Sequence, residues 1–275
     1  MTAKADAVDP LRRNFRTSDG VRLSFLESLP KGTGSDGLAI VFIPGWSMPA
    51  SLWRNQLTYF GSRYHVLALD PRGQGESEVP SSGYNAERRA ADIYEFLRSF
   101  RKVLLVGWSL GAIECLQLVH SSPAENIAGL ALIDSSVGEE PAPAAGSGKF
   151  PDELRKNRHA SLRDFVRAIF RTKLSEPEID DLVASAERMR VEDSIALLSY
   201  PFERTHWRDI ARAFKKPLLY VVTPQFEAQA MNLQKNRPGT HVEVFTNAGH
   251  ALFVDEPERF NRVLESFVKT VEQQH

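Results

Sequence analysis

Short apolar segments and longer amphipathic segments alternate along most of this chain. A segment that is apolar at consecutive positions predicts a strand covered on both faces of a parallel sheet, whereas apolar residues repeating every three or four positions predict a helix. The strands predicted in this way span residues 38–43, 65–69, 103–106, 127–133, 217–222 and 241–245. Helices are predicted at residues 49–60, 85–100, 110–120 and 256–272. This alternation predicts an α/β fold with a mostly parallel, doubly wound sheet and helices on both of its faces.

The N-terminal part of the chain follows a different pattern. Residues 14–27 alternate between polar and apolar side chains and contain Asp19-Gly20, a common hairpin turn sequence. We therefore expect two antiparallel strands at one edge of the sheet.

The alternation of strands and helices is interrupted in the middle of the chain. Residues 138–148 are rich in Pro, Ala and Gly, which predicts a flexible loop, and residues 151–214 contain helical patterns without a strand. The helices predicted there span residues 152–159, 161–172, 176–189, 192–198 and 206–214. Such an insertion predicts a cap over the carboxyl ends of the strands, where open α/β sheets bind ligands. The predicted domains are an α/β core of residues 1–136 and 215–275 and a helical cap of residues 137–214.

The composition narrows the classes of function. The chain has 275 residues and a formal net charge of −1, so its charge does not favour nucleic acid or an anionic membrane as a partner. Residues 1–15 lack the apolar core of a signal peptide, and no apolar stretch approaches the length of a membrane span. The one cysteine, Cys115, excludes an internal disulfide and is expected to be a buried, unreactive thiol. These features predict a soluble, cytoplasmic protein.

The most informative motif is Gly107-Trp108-Ser109-Leu110-Gly111, which lies between a predicted strand and a predicted helix. A serine between two glycines is often an ordinary turn, but the strand before it and the helix after it favour a nucleophile elbow. In that turn the serine hydroxyl is exposed at the edge of the sheet, and larger residues at 107 and 111 would clash with the neighbouring strand and helix. We therefore predict Ser109 as a catalytic nucleophile.

A serine hydroxyl needs a base to accept its proton, and the base is normally a histidine held by an acid. Of the seven histidines, His250 is the best placed, because it follows the last predicted strand and so lies at the same sheet edge as Ser109. The alternative for a single loop histidine is a solvated side chain. The chain order of Ser109 before His250 favours the catalytic interpretation.

Acyl transfer also needs two N–H donors for the oxyanion. The backbone N–H of Leu110, at the start of the helix after the elbow, is predicted as one donor. Pro44-Gly45-Trp46 ends an apolar strand, and Gly45 allows the backbone to approach the nucleophile, so the N–H of Trp46 is predicted as the second. Without the elbow motif, an ordinary Pro-Gly turn would be the simpler interpretation.

These motifs resemble those of the α/β-hydrolase family. The resemblance covers nearly the whole chain and depends on residues 107–111, on Pro44-Gly45-Trp46, on the Asp-Pro-Arg-Gly-Gln-Gly-Glu-Ser sequence at residues 70–77, and on Gly249-His250. It implies an eight-stranded core, a cap and serine catalysis without a cofactor. One departure is Pro44, because the family often has His before this glycine. The change alters the wall behind the N–H donors but does not remove them.

The acid is less clearly defined. The family commonly carries it a few residues after the strand that follows the cap, where this chain has Phe226, with Glu227 one residue later. Some haloalkane dehalogenases of the same superfamily are similar to this chain in another respect, since they carry their acid at the strand end where Asp134 lies. We favour Asp134 over Glu227 as the partner of His250. A Ser-His pair without an acid stays an alternative.

The predicted function is that of a serine hydrolase of the carboxylesterase type, acting on an ester, lactone or thioester of a small, partly apolar molecule. No cluster has metal-ligand spacing and no glycine-rich loop has phosphate-binding spacing, so we expect neither a metal nor a cofactor. Aromatic residues that are expected either to line the pocket or to belong to the core are Trp46, Trp108, Phe165, Phe170, Tyr200, Phe202 and Trp207.

Two other kinds of function are compatible with the same fold. A cofactor-free haloperoxidase (perhydrolase) or a carbon–carbon bond hydrolase would use the same Ser109 and His250. A catalytically silent ligand-binding relative is the other alternative, and Phe226 at the usual acid position is its support.

Overall fold

The computed structural model describes residues 9–30, 37–143 and 148–273. Predictions for residues 1–8 and 144–147 fall outside these ranges. The described residues form one eight-stranded sheet in the order β1-β2-β4-β3-β5-β6-β7-β8. The strands are β1 (Leu11–Arg16), β2 (Arg22–Ser28), β3 (Leu38–Ile43), β4 (His65–Asp70), β5 (Lys102–Trp108), β6 (Ile127–Ile133), β7 (Leu218–Val222) and β8 (Thr240–Val244). The predicted eight-stranded, mostly parallel sheet is confirmed.

Only the N-terminal edge of the sheet is antiparallel. Strand β1 pairs with β2, and β2 pairs with β4, in antiparallel register, whereas every pairing from β4 to β8 is parallel. The central strands β3 and β6 are buried at every position, which explains why their sequences are apolar without alternation. The six strands from β3 to β8 therefore present their carboxyl ends at one edge of the sheet.

Helices cover both faces of the sheet. They are α1 (Arg54–Phe60), α2 (Ala86–Leu97), α3 (Leu110–Ser121), α4 (Phe150–Lys156), α5 (Arg158–Ile169), α6 (Glu176–Glu187), α7 (Val191–Ala196), α8 (Arg204–Ala213), α9 (Glu227–Asn236), α10 (Leu252–Asp255) and α11 (Pro257–Gln273). Short 3-10 turns precede α1 and α9. Among the helices described here, none has the length and apolar character needed to cross a membrane.

Two apolar layers hold the helices on the sheet. On one face, Trp53 stacks on Phe42 of β3 and on Phe253 of α10, with ring centroids 4.6 and 3.6 Å apart. The apolar layer of the other face includes Ile93 of α2 and Cys115 of α3. Because each layer is a cluster of buried aliphatic and aromatic side chains, the sheet is a rigid support for the loops at its carboxyl edge.

Helix α9 was not among the predicted helices. Its sequence has few apolar residues, and only Ala230 and Leu233 among them are deeply buried. A helix that contacts the core through so few positions leaves a weak three-to-four repeat, so its sequence does not distinguish it from a loop.

Helices α4 to α8 lie between β6 and β7, and we call residues 148–213 the inserted segment. Its first helices contact loops at the carboxyl edge: the ring of Phe165 lies 5.1 Å from that of Trp46, and the Ala251 N–H donates to the Ile169 carbonyl at 2.8 Å. Helix α8 differs, because Trp207 and Ile210 share the apolar layer of α3. The cap and its boundaries at residues 137–214 stay predictions.

Candidate active site

Ser109 lies on the tight turn between β5 and α3. Its backbone has φ 55° and ψ −119°, and its N–H donates to the Ile133 carbonyl of β6 at 2.8 Å. A side chain at position 107 would lie 2.5 Å from the Gly111 carbonyl oxygen, and one at position 111 would lie 2.6 Å from the carbonyl oxygens of Ile43 and Pro44. The turn therefore requires both glycines, and it presents a half-buried Ser109 side chain at the carboxyl edge.

Two further side chains complete a hydrogen-bonded chain with Ser109. His250 follows β8, and its Nε2 lies 2.9 Å from Ser109 Oγ. Its Nδ1 lies 2.7 Å from Asp134 Oδ2, at the end of β6. With the proton on Nδ1 donated to the carboxylate, Nε2 carries the lone pair that can accept the serine proton.

Asp134 is fully buried and held on both carboxylate oxygens. Its Oδ1 accepts a hydrogen bond from the Thr223 N–H after β7 at 2.6 Å, which leaves Oδ2 for His250. Its own N–H donates to the Val221 carbonyl at 2.8 Å, and its φ of 43° turns the side chain out of the direction of β6. The carboxylate is therefore fixed in one orientation by two neighbouring strand ends.

Glu227, the alternative acid, lies elsewhere. It is exposed at the first position of α9, whereas Phe226 before it is buried in the apolar layer of α3. The structure thus brings Asp134 to the ring of His250, and Glu227 points away from the core into solvent.

Two side chains, those of Trp108 and Asp255, hold the His250 loop through hydrogen bonds that the sequence did not predict. The Trp108 indole N–H donates to the His250 carbonyl at 2.9 Å. The carboxylate of Asp255 accepts the Gly249 N–H at 2.8 Å and the N–H groups of Arg171 and Thr172 at 3.0 and 2.8 Å. The aromatic residue before Ser109 and the acid shortly after His250 were the signals available in the sequence. The loop is therefore tied both to β5 and to the inserted segment.

The two residues predicted as oxyanion donors flank Ser109. Leu110 is the first residue of α3, where N–H groups have no partner inside the helix. A side chain on Gly45, which precedes Trp46, would lie 3.1 Å from Ser109 Cβ, so this backbone passes directly beside Ser109. The Trp46 indole N–H donates to the Ser194 carbonyl of α7 at 2.6 Å. The roles of both backbone N–H groups stay predictions.

The predicted pocket aromatics divide into two groups. Trp46 packs edge-on against Phe165 of α5 and Phe150 of α4, with centroids 5.1 and 5.6 Å apart. Phe202 and Trp207 instead pack around His206, on the face of the sheet that carries α3. The aromatic residues beside Ser109 are thus Trp46, which follows Gly45, and Trp108, whose ring lies 5.3 Å from that of His250.

Other ionisable groups of the carboxyl edge have structural partners. Asp70 accepts the N–H groups of Ala50 and Glu76 at 2.6 and 3.1 Å, and burial raises the pKa of its carboxyl group. Burial likewise raises the pKa of the Cys115 thiol, which keeps it protonated and unreactive. Within residues 9–30, 37–143 and 148–273, no group of three or more His, Cys, Asp or Glu side chains is arranged to hold a metal ion.

Comparison with known proteins defines the class. A model of the alpha/beta hydrolase family matches residues 40–263, and the chain therefore belongs to this family. It is 27% identical over 266 residues to a pimeloyl-acyl-carrier-protein methyl ester esterase of Aeromonas hydrophila, covering 86% of this chain and 96% of that one. It is 33% identical over 122 residues, 43% of each chain, to a non-heme chloroperoxidase of Streptomyces lividans.

Solved structures agree on the fold. An esterase from Exiguobacterium antarcticum superimposes with a TM-score of 0.79 at 22% identity, covering 93% of this chain and 98% of that chain. At this level of identity the likeness establishes the fold alone. The family match and the methyl ester esterase of Aeromonas hydrophila support a hydrolase.

Proposed function

We propose that the protein is a serine hydrolase that cleaves an ester-type bond through an acyl-enzyme. The observation that carries this proposal is the continuous hydrogen-bonded chain from Ser109 Oγ to His250 Nε2 and from His250 Nδ1 to Asp134, at 2.9 and 2.7 Å. Both distances lie within the range needed for proton transfer from nucleophile to base.

The reaction follows from this geometry in two halves. Ser109 Oγ attacks the substrate carbonyl while its proton passes to His250 Nε2, and the buried Asp134 carboxylate stabilises the resulting imidazolium. The imidazolium then protonates the departing alcohol or thiol, which leaves an acyl group on Ser109. Water, deprotonated by His250, attacks this acyl group and releases the acid, and Ser109 recovers its proton.

The negative charge of both tetrahedral intermediates requires N–H donors. We assign this role to the backbone N–H groups of Leu110 and Trp46, which flank Ser109 on the helix side and the β3 side. The N-terminus of α3 adds the favourable end of its dipole.

The substrate class is inferred from the walls next to the nucleophile. The buried Trp46 and the partly buried Phe150 and Phe165 form an aromatic group beside Gly45, and aromatic walls of this kind favour an apolar acyl or alcohol part of the substrate. The methyl ester esterase of Aeromonas hydrophila is consistent with an ester as the scissile bond. We therefore propose a small, partly apolar carboxylic ester, lactone or thioester.

A second candidate is perhydrolysis, which the match to a non-heme chloroperoxidase favours. Hydrogen peroxide would replace water in the second half, so that the acyl-enzyme and H2O2 give the free enzyme and a peracid. Carbon–carbon bond hydrolysis would use the same Ser109 and His250 and stays an alternative. The ligand-binding alternative depended on Phe226, and it loses that support because His250 already has Asp134 as a carboxylate partner.

The test is the rate of p-nitrophenyl ester hydrolysis across short and medium acyl chains. Ser109→Ala is expected to lower kcat at least about 10⁴-fold, because the nucleophile is lost. Ser121→Ala, a serine at the far end of α3, is the matched control and is expected to keep the wild-type rate. Turnover by Ser109→Ala at the wild-type rate would contradict the proposal. Peracid formation measured in acetate and H2O2 would separate the second candidate from the first.

A further inference from the structure

A buried glutamine in the loop after β4 fastens the loop after β3. Gln74 is fully buried, and its amide nitrogen donates to the carbonyl of Gly45 at 2.9 Å and to the carbonyl of Met48 at 2.8 Å. These two carbonyls bracket Trp46 and Ser47. One side chain therefore holds both ends of the turn that passes beside Ser109.

The orientation of this amide is fixed by a buried cation. Arg89 Nη2 donates to Gln74 Oε1 at 2.7 Å, and since a guanidinium has only donors, the amide oxygen must face it. Arg89 is itself held by Glu114 on α3, at 2.8 Å, and by the Arg72 carbonyl, at 3.0 Å. Both Arg89 and Glu114 are fully buried, so the ion pair is a fixed internal support.

The same network reaches two other parts of the molecule. Glu114 belongs to the helix that begins at Leu110, and it also accepts a hydrogen bond from the hydroxyl of Tyr200 in the inserted segment at 2.9 Å. The turn beside the nucleophile, the helix after it and the inserted segment are thus joined through Arg89.

The hydrogen bond to the Gly45 carbonyl has a consequence for the next N–H group. In a planar trans peptide the C=O of Gly45 and the N–H of Trp46 point in opposite directions, so holding one sets the other. Glycine has no side chain to resist rotation of this peptide. Ser47 has a positive φ of 56°, and its buried hydroxyl has no hydrogen-bond partner among the described residues, so the turn is strained. Inside the turn, the Met48 N–H donates to the Gly45 carbonyl at 3.2 Å, and Gln74 supplies the shorter hydrogen bond from outside it.

We propose that Gln74 is a positioning residue that holds the Gly45–Trp46 peptide in the orientation that directs the Trp46 N–H to Ser109. Arg89 and Glu114 act behind it by fixing its amide. This inference rests on the proposed function, in which that N–H stabilises the oxyanion.

The first test is kinetic. Gln74→Met keeps the side-chain length but removes both donors, and Gln74→Glu keeps the oxygen that faces Arg89 but replaces the donating nitrogen by oxygen. Each variant is expected to lower kcat for a p-nitrophenyl ester about 10- to 100-fold, with KM changed less than about twofold, because the lost interaction belongs to the transition state. The affinity for an alkyl boronic acid, which forms a tetrahedral adduct on the serine, should fall in parallel with kcat.

Asn126 supplies the matched control. Its amide nitrogen also donates to two loop carbonyls, those of Leu97 and Phe100, at 2.8 and 3.0 Å, but it lies at the start of β6, at the opposite edge of the sheet. Asn126→Leu is expected to lower the midpoint of urea unfolding and to leave kcat unchanged. Equal losses of kcat in Asn126→Leu and Gln74→Met would overturn the proposal, because the effect would then be one of stability.

The second test does not depend on turnover. A crystal structure of Gln74→Met, or of Gln74→Glu if the first variant does not fold, should show the Gly45–Trp46 peptide rotated from its wild-type orientation. An unchanged peptide, or wild-type kcat in both variants, would overturn the inference while leaving the proposed function intact. A wild-type enzyme without esterase turnover would count against the proposed function, and the peptide orientation would still decide the role of Gln74.

Discussion

The two edges of the sheet differ in backbone strain. Among the described residues, the three non-glycine residues with positive φ are Ser47, Ser109 and Asp134, and all follow the carboxyl ends of the neighbouring strands β3, β5 and β6. The amino edge has no such residue in the described ranges, and its loops are fastened by ordinary contacts such as those of Asn126. Strained residues persist only where the surroundings hold them, and they concentrate at functional sites.

Two histidines also differ in their surroundings, one at the carboxyl edge of the sheet and the other on α8. His250, at the carboxyl edge, lies between a hydroxyl and a buried carboxylate. His206, on α8, bonds Gln117 at 3.0 Å and stacks on Phe202 with centroids 4.4 Å apart. An amide oxygen cannot stabilise an imidazolium as a carboxylate does. The partner, rather than the residue type, therefore distinguishes the proposed base from a structural histidine.

Among the tests of this difference, the largest effect is expected from replacing Asp134, the carboxylate partner of His250. Asp134→Asn should lower kcat for p-nitrophenyl ester hydrolysis about 10³- to 10⁴-fold, because the amide no longer favours the productive tautomer and charge of His250. Glu227→Gln, which changes an exposed carboxylate at the start of α9, should keep the wild-type rate. A large loss in the Glu227 variant and none in the Asp134 variant would reverse the assignment of the acid.

A smaller effect is expected from the tryptophan that holds the His250 loop. Trp108→Phe removes the hydrogen bond to the His250 carbonyl, which contributes about 1 kcal/mol, and it should lower kcat about five- to tenfold. Trp207→Phe, on α8, is the control and should leave kcat unchanged. Comparable changes of kcat in the two variants would mean that the loss reflects packing in general.

Relieving the backbone strain at Ser47 should stabilise the folded protein. Ser47→Gly is expected to raise the free energy of unfolding by about 1 kcal/mol, since glycine adopts positive φ without strain and the substitution removes a buried hydroxyl that has no partner in the described ranges. Ser266→Gly, within helix α11, should lower it by about 0.5 kcal/mol. Urea unfolding of both variants tests the difference in sign, and a loss of stability in Ser47→Gly would show that this turn is unstrained.

The smallest effect concerns pH and the histidine away from the site. Burial, followed by the neighbouring His120, lowers the pKa of His206 below its usual 6.5. The unfolded chain therefore binds a proton at His206 more readily than the folded one, so this contribution to stability is present above pH 6.5 and is lost as pH falls through the lower folded pKa. Between pH 7 and pH 5, the urea midpoint of His206→Asn should fall less than that of wild type. Parallel declines would mean that His206 does not contribute.

Much of the fold could be predicted because it depends on local patterns. Strand β6 was predicted at residues 127–133 and is observed there, since consecutive apolar residues between polar loops leave little freedom. Helix α9 was missed because it contacts the core through few side chains. Local spacing thus determines strands buried on both faces better than it determines lightly packed helices.

The site could be predicted only in part. The motif around Ser109 indicated the turn, and the chain order indicated His250. The choice between Asp134 and Glu227 depended on which strand end faces His250, a distance that spacing along the chain does not contain. The contacts of Gln74 depend on the packing of three loops and a helix, so the sequence carried no signal for them.

The most direct test of the account is the identity of the residue that carries the acyl group. The enzyme would be mixed with p-nitrophenyl acetate, quenched in acid, digested and analysed by mass spectrometry. We expect the acetyl group on Ser109 in the wild-type enzyme and no acetylated peptide in Ser109→Ala. An acetyl group on another residue, or undiminished turnover by Ser109→Ala without any adduct, would contradict the assignment of Ser109 as the nucleophile.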